Sequence, residues 1–354
     1  MLMCAQNFQG KIGDWGKYEQ HISGDISFAA RQYYYATQDL EWLKTVGYPL
    51  IAGVASFYAA RIEPHADGSP GYDFNTVMGP DEYNYPVNNS GYTNAVAMLA
   101  IHAAIEFAPL VGAAVPADYA AKSVGLVVRQ AAVPTNTHGL TGDYHPEYTG
   151  YPTIKGPRVK QADTVMLSYP FGVNMSAQTL ANDLAWYEPQ TDVNGPAMTW
   201  AIFAIGWFNT GNYTHARERF RRGFDPNVRP PFMVWTETLH GGCTPFLTGA
   251  GGFLQSVVFG TSGMRLETDR LTFNPPPPSA TGGAATSMSL LGFHFRGSTL
   301  NQVVTETTVS YELVSASASA PKLALVAADS TTHSLEQGTP VVTSRTAAEI
   351  VVAK

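Results

Sequence analysis

Two cysteines, Cys4 and Cys243, are all that the 354 residues contain, and they stand too far apart to form a metal-type pair. Charge is sparse as well: 14% of residues are charged, and the net charge is −7. Beyond the neighbourhood of residues 217–222, Lys and Arg are not grouped. Affinity for phosphate backbones comes from grouped basic residues, so no nucleic-acid partner is expected. No apolar run reaches the roughly 18–20 uncharged residues of a membrane-spanning helix. The richest stretch, 48–60, sits inside a helical pattern, and the chain reads as soluble. Met1 to Gln6 carry no basic segment leading into an apolar core, which argues against a signal peptide. Three glycosylation-type sequons, at Asn88, Asn174 and Asn212, lean the other way, and the compartment stays open. His21, His138, His145 and His240 are scattered without an i, i+4 pair, and neither a phosphate loop nor a Gly-x-Ser-x-Gly elbow occurs. Metal and nucleotide chemistry are set aside, and no cofactor is implied.

What remains is an apolar, aromatic chain, 45% hydrophobic and 12% aromatic, long enough for one large domain and a smaller one. Apolar positions recur at three- and four-residue spacing over 23–37, 39–62, 92–107, 117–132, 178–187 and 196–220, which predicts helices there. Pro196 falls near a helix start, where its missing N–H costs little. Long polar connections rich in Gly, Pro and Asn separate them at 65–89, 134–160 and 223–252. Loops of that length in a compact domain usually build a site. Past about Gly263 the pattern changes. Four prolines at 275–278 mark a rigid bend. Alternating β-branched segments follow at 287–295, 302–313, 322–327 and 347–353. No internal repeat is evident. The organisation is a mainly helical part over 1–265 and a small β-rich domain over 266–354.

Three loop segments carry candidate chemistry. In Val77-Met78-Gly79-Pro80-Asp81-Glu82-Tyr83-Asn84, two adjacent acids follow a Gly-Pro turn. An aromatic residue and the amides of Asn88, Asn89 and Asn94 come after them. A sugar site needs this mixture: a carboxyl to move a proton, a flat apolar face, and amides for hydroxyl groups. In Val234-Trp235-Thr236-Glu237, a carboxylate follows a short extended run beside a tryptophan, and the glycines after it permit close backbone approach. Lys160-Gln161-Ala162-Asp163 offers an ammonium and an amide for hydroxyl groups, a pair equally common at solvated helix starts.

Taken together, Gly79-Pro80-Asp81-Glu82-Tyr83 with Asn88-Asn89 and Tyr92-Thr93-Asn94 resembles the catalytic-acid motif of glycoside hydrolase family 65. Lys160-Gln161-Ala162-Asp163 resembles that family's sugar-binding Lys-Gln pair. The segments 195–200 and Val234-Trp235-Thr236-Glu237 with Phe246-Leu247-Thr248-Gly249 are similar to its hydrolase branch, which holds acid trehalases and the glucosidase of glucosyl-galactosyl-hydroxylysine. The resemblance implies an (α/α)6 toroid followed by a C-terminal β-domain. It implies Glu82 as general acid and Glu237 as general base, with Lys160, Gln161, Trp235, Asp81 and Tyr83 binding the substrate. That substrate would be a small or protein-linked α-disaccharide. An inverting pair of carboxyls stands about 6.5–9.5 Å apart to admit a water. Family phosphorylases lack the base and use phosphate, so Glu237 favours hydrolysis. A non-catalytic sugar-binding chain is the remaining alternative. Family members are usually longer, with an N-terminal β-sandwich and a glucose-binding Trp-Asp motif that Asp14-Trp15 does not supply. The helical segments amount to a little over half of a twelve-helix toroid, so the chain resembles a C-terminal portion.

Overall fold

Helix boundaries follow from capping chemistry. In this computed structural model, Ile22–Thr37, Tyr48–Arg61, Gly91–Val111, Ala177–Gln190, Thr199–Thr210, Tyr213–Arg222 and Leu247–Gln255 are the long helices. The structure describes residues 13–134, 139–152, 158–282 and 284–353; Cys4, the Met1 to Gln6 segment and His138 lie outside them. Ser90 and Ser176 cap their helices by accepting the N–H of Thr93 and Thr179 at 3.3 and 3.0 Å, satisfying donors that a helix start leaves bare. Gly112 closes Gly91–Val111 in the left-handed conformation, φ 73°.

Three helix expectations need correction. The single helix expected over 196–220 is two: Gly211, at φ 78°, ends the first, and Asn212 caps the second by accepting the His215 N–H at 3.3 Å. Over 117–132 only Tyr119–Lys122 is helical. Gly125 lies against the Tyr72 ring and its carbonyl takes the Tyr72 N–H at 2.9 Å, which draws the chain out of the helix. The long helix of 39–62 is interrupted by a wider turn at Leu43–Gly47 before restarting with a proline in its first turn. Gly91–Val111 also passes the length and apolarity criterion for a membrane span, which the sequence reading did not anticipate; more than half of its apolar window, 56%, is buried within the protein.

The chain divides into two compact units, one of Met1–Arg31 with Asp39–Gly195 and one of Gln32–Gln38 with Pro196–Lys354. In the first, Gly91–Val111 packs on Tyr48–Arg61 over a core rich in Tyr and Phe, including fully buried Tyr58, Phe74 and Phe107. In the second, Thr199–Thr210 packs on Tyr213–Arg222. The same unit holds two antiparallel sheets. One has the order Val341–Ser344, Thr308–Ala316, Ser298–Thr305, Ser287–Phe295. The other runs Thr332–Ser334, Leu323–Ala327, Ala348–Val352, Arg270–Phe273, Met264–Leu266. Inward residues of both, among them Phe273, Phe295, Leu300, Tyr311, Leu325 and Ile350, form one core, the arrangement of a β-sandwich. The expected strand over 302–313 is instead a hairpin, turning at Glu306 and Thr307. The turn is closed by Thr305 Oγ1 accepting the Thr308 N–H at 2.9 Å.

Candidate active site

In the first unit, a bridge between Val77 and Val87 pinches off the loop that carries the adjacent acids. Asp81 is completely buried. Its Oδ1 accepts the backbone N–H of Tyr83 at 3.1 Å and of Lys160 at 2.6 Å, and its Oδ2 accepts the Asn84 amide at 2.7 Å. A single carboxylate thus ties the acid loop to the loop segment bearing Lys160. That segment is itself fixed beside the end of Ala177–Gln190, where Val159 donates to Gln190 and accepts from Asp192 at 3.1 and 2.9 Å. Gly195 is small of necessity, since a β-carbon there would strike the Lys160 carbonyl.

The result is that Lys160 Nζ reaches Glu82 Oε1 at 2.7 Å, both side chains remaining partly open to solvent. Gln161 is buried, and its amide N–H donates to the Pro80 carbonyl at 2.6 Å. Tyr83 presents an exposed ring. Its hydroxyl donates to Asp192 Oδ2 at 2.5 Å, an oxygen that also receives Arg158 at 2.5 Å. The Tyr83 hydrogen bond is the main reason the Asp192 carboxyl is held below its usual range. Glu82, Asp81, Tyr83, Lys160 and Gln161 are therefore neighbours.

Two acids that the sequence reading passed over belong here. Glu19 is pushed up to about 7, first by burial and then by the charge of Glu82, with Lys160 opposing. Asp25 is pushed up to about 6 by burial, against the Tyr92 hydroxyl that donates to it at 2.8 Å. Of the histidines, His21 is buried and drawn down to about 4 by that burial, its ring N–H donating to the Met78 carbonyl at 3.2 Å. His145 is buried against Asp183 at 2.7 Å. Among the described residues, no group of three or more His, Cys, Asp or Glu is arranged to hold a metal.

Trp235 and Glu237 belong to the second unit. Trp235 ends the short strand Val234–Trp235, paired with Val228–Arg229, and its ring lies 5.8 Å from that of Phe253 on Leu247–Gln255. Glu237 follows just ahead of a tight turn closed by Thr238 and Gly241. Its Oε2 accepts the Cys243 N–H at 2.8 Å, and its carbonyl accepts the Ala197 N–H at 2.8 Å. Gly242, at φ 85°, lies under the carboxylate: an added β-carbon would stand 2.6 Å from Oε2.

Residues 5–114 match the glycosyl hydrolase family 65 central catalytic domain. The protein-glucosylgalactosylhydroxylysine glucosidase of Dictyostelium discoideum is 38% identical over 302 residues, covering 84% of this chain and 40% of the relative. The kojibiose hydrolase of Flavobacterium johnsoniae is 34% identical over 256 residues, 71% of this chain and 35% of the relative. This chain thus spans well under half the length of either relative. A solved structure from the human microbiome, assigned as a kojibiose phosphorylase, aligns with a TM-score of 0.66 at 16% identity. The alignment covers 91% of this chain and 46% of that one, and it shows a shared fold of a helical region followed by a β-rich C-terminal part. On the family match and these relatives, this chain belongs to glycoside hydrolase family 65.

Proposed function

We propose that the chain carries the catalytic machinery of an inverting α-glucoside hydrolase that releases glucose from an α-linked disaccharide, with the glucosyl-galactosyl-hydroxylysine type as first candidate. The observation that carries this reading is the Lys160–Glu82 contact at 2.7 Å, held in place by one buried carboxylate, Asp81. A positioned carboxyl beside a positioned ammonium can give a proton to a glycosidic oxygen while a neighbouring sugar hydroxyl is gripped. Glu82 is assigned as general acid and Glu237 as general base, the latter activating a water on the opposite face of the sugar. Lys160, Tyr83 and Trp235 serve as sugar contacts. Asp81 and Gln161 act on the sugar through the loop they hold. The catalytic region is taken as 1–265 and the C-terminal β-domain as 266–354.

Support for the substrate class comes from the relatives named for glucosyl-galactosyl-hydroxylysine, at 38% identity in Dictyostelium discoideum and 37% in Danio rerio. Trehalose and kojibiose-type links follow, through relatives named for those sugars. A phosphorylase is the second reading, favoured by the fold likeness to the protein assigned as a kojibiose phosphorylase. Glucose release from glucosyl-galactosyl-hydroxylysine, kojibiose and trehalose, each with and without inorganic phosphate, tests the proposal. Phosphate-independent release from one of them supports hydrolysis, and strict dependence on phosphate overturns it.

A further inference from the structure

Beneath the acid loop lie three carboxyl groups in one dry region. Asp81, Glu147 and Asp163 are 0%, 2% and 3% exposed. The Asp81 N–H donates to Asp163 Oδ2 at 2.9 Å, and Glu147 shares a side-chain hydrogen bond with Asp81. Main-chain contacts fix all three. The Glu147 carbonyl takes the Gly91 N–H at 2.8 Å, at the start of Gly91–Val111. Asp163 opens the short turn Thr164–Leu167. Gly79 has no side chain where one would collide with Asp163, and a β-carbon there would also stand 2.9 Å from Ser90 Oγ.

We propose that Glu147 and Asp163 are positioning residues for Glu82, acting through Asp81, which neither the fold comparison nor the acid motif assigns. The inference rests on the reading of Glu82 as the acid. The oxygens of Asp81 already accept three N–H groups, from Tyr83, Lys160 and Asn84, so the hydrogen bond from Glu147 must be donated by an O–H. Three adjacent buried carboxyls cannot all ionise without large cost. Burial, then the Asp163 and Asp81 charges, hold the Glu147 carboxyl well above its usual range. Burial also raises Asp163, against the Asp81 N–H that it accepts. Among the described residues, the other titratable groups facing them are tyrosines: Tyr151 and Tyr187 face Glu147, and Tyr92 faces Asp163. Glu147 keeps its proton and spends it on Asp81. Asp81 in turn fixes the backbone on both sides of the Glu82–Lys160 contact. A displacement of about 1 Å at such a site is enough to cost on the order of 100-fold in rate.

The test combines hydrogen–deuterium exchange with kinetics on Glu147→Ala, Glu147→Gln, Asp163→Asn and Glu82→Gln of the full chain. An amide can stand in for a protonated carboxyl as hydrogen-bond donor, so Glu147→Gln is the rescue variant. Expected in Glu147→Ala is exchange at the Asp81, Tyr83 and Lys160 amides faster by roughly tenfold or more, with kcat lowered by a similar factor at nearly unchanged KM. Glu147→Gln and Asp163→Asn stay within about threefold of wild type on both measures. If Glu147→Ala does not fold, Glu147→Met keeps the volume while removing the donor. Unchanged protection of those amides in the alanine or methionine variant overturns the proposal, as does a Glu147→Gln variant no better than alanine. Loss of protection in the alanine or methionine variant, when the wild-type chain shows no α-glucoside turnover, leaves the positioning role standing and refutes the glucosidase reading instead.

Discussion

Lys160 Nζ and Glu82 Oε1 meet at 2.7 Å with their side chains 25% and 29% exposed. An ion pair this open to water contributes under about 1 kcal/mol to stability, so its placement is a matter of chemistry at the site. Lys160→Met is expected to leave the denaturant midpoint within the error of measurement. Its kcat/KM for the preferred α-glucoside should fall by roughly 10–100-fold, as for a lost charged contact to substrate. Steady-state kinetics beside equilibrium unfolding check both halves.

Gly242→Ala is expected to lower both stability and activity in the second unit. The residue sits at φ 85°, where a side chain is strained, and its β-carbon would press on the Glu237 carboxylate at 2.6 Å. A stability loss of about 1–2 kcal/mol is expected from the backbone alone. Turnover should fall by tenfold or more as Glu237 is pushed aside. A variant with full kcat would remove Glu237 from the chemistry.

Gly79→Ala reads the packing around Asp163 through stability. Its β-carbon would strike Asp163 and crowd Ser90 Oγ, both buried. Overpacking of this kind costs about 1–3 kcal/mol, read as a lower urea midpoint. An unchanged midpoint would mean that Asp163 moves aside freely.

Stability should depend on pH through groups at the site's edge. Glu19 rises from 4.5 to about 7 and Asp25 from 3.8 to about 6 on folding. Folded protein therefore holds protons that the unfolded chain has released. The stability they contribute is full below about pH 4 and is lost as pH climbs through 6 and 7. His21, lowered from 6.5 to about 4, works the other way: its contribution is present above 6.5 and is lost as pH falls toward 4. Glu19→Gln should remove the part of the decline that Glu19 causes between about 4.5 and 7. Comparing urea midpoints of the two proteins at pH 5 and pH 7.5 checks it. A difference that does not change with pH would contradict the assignment.

The acid loop, the Lys-Gln pair and the Trp-Thr-Glu segment stand out in the sequence because their chemistry is concentrated in short runs; the family match spans the first of the three. Glu147 shows what such runs leave out, and Asp163, although it stands in the Lys-Gln run, shows what they leave unexplained. Asp163 donates nothing conspicuous to its own motif, and it meets Asp81 only because 82 residues fold back between them. Glu147 lies in a His-Pro-Glu-Tyr stretch with no period or spacing to distinguish it. Glu19 is similar: its role depends on Glu82, a neighbour in space alone. Among the elements, the break at Gly211 and Asn212 was signalled by residues that end and start helices. The hairpin turn at Glu306 and Thr307 was not, because threonines close it inside an unbroken β-branched run.

The central claim is that Glu82 gives the proton in an inverting hydrolysis. Its most direct test is a proton NMR time course on the best α-glucoside substrate, with wild type and Glu82→Gln compared at equal concentration and without phosphate. The account predicts that β-glucose appears first and converts to the α-anomer only by later mutarotation. It also predicts that the variant is slower by about 10²–10⁴-fold. Initial release of α-glucose, or a Glu82→Gln variant that keeps wild-type turnover, would contradict it.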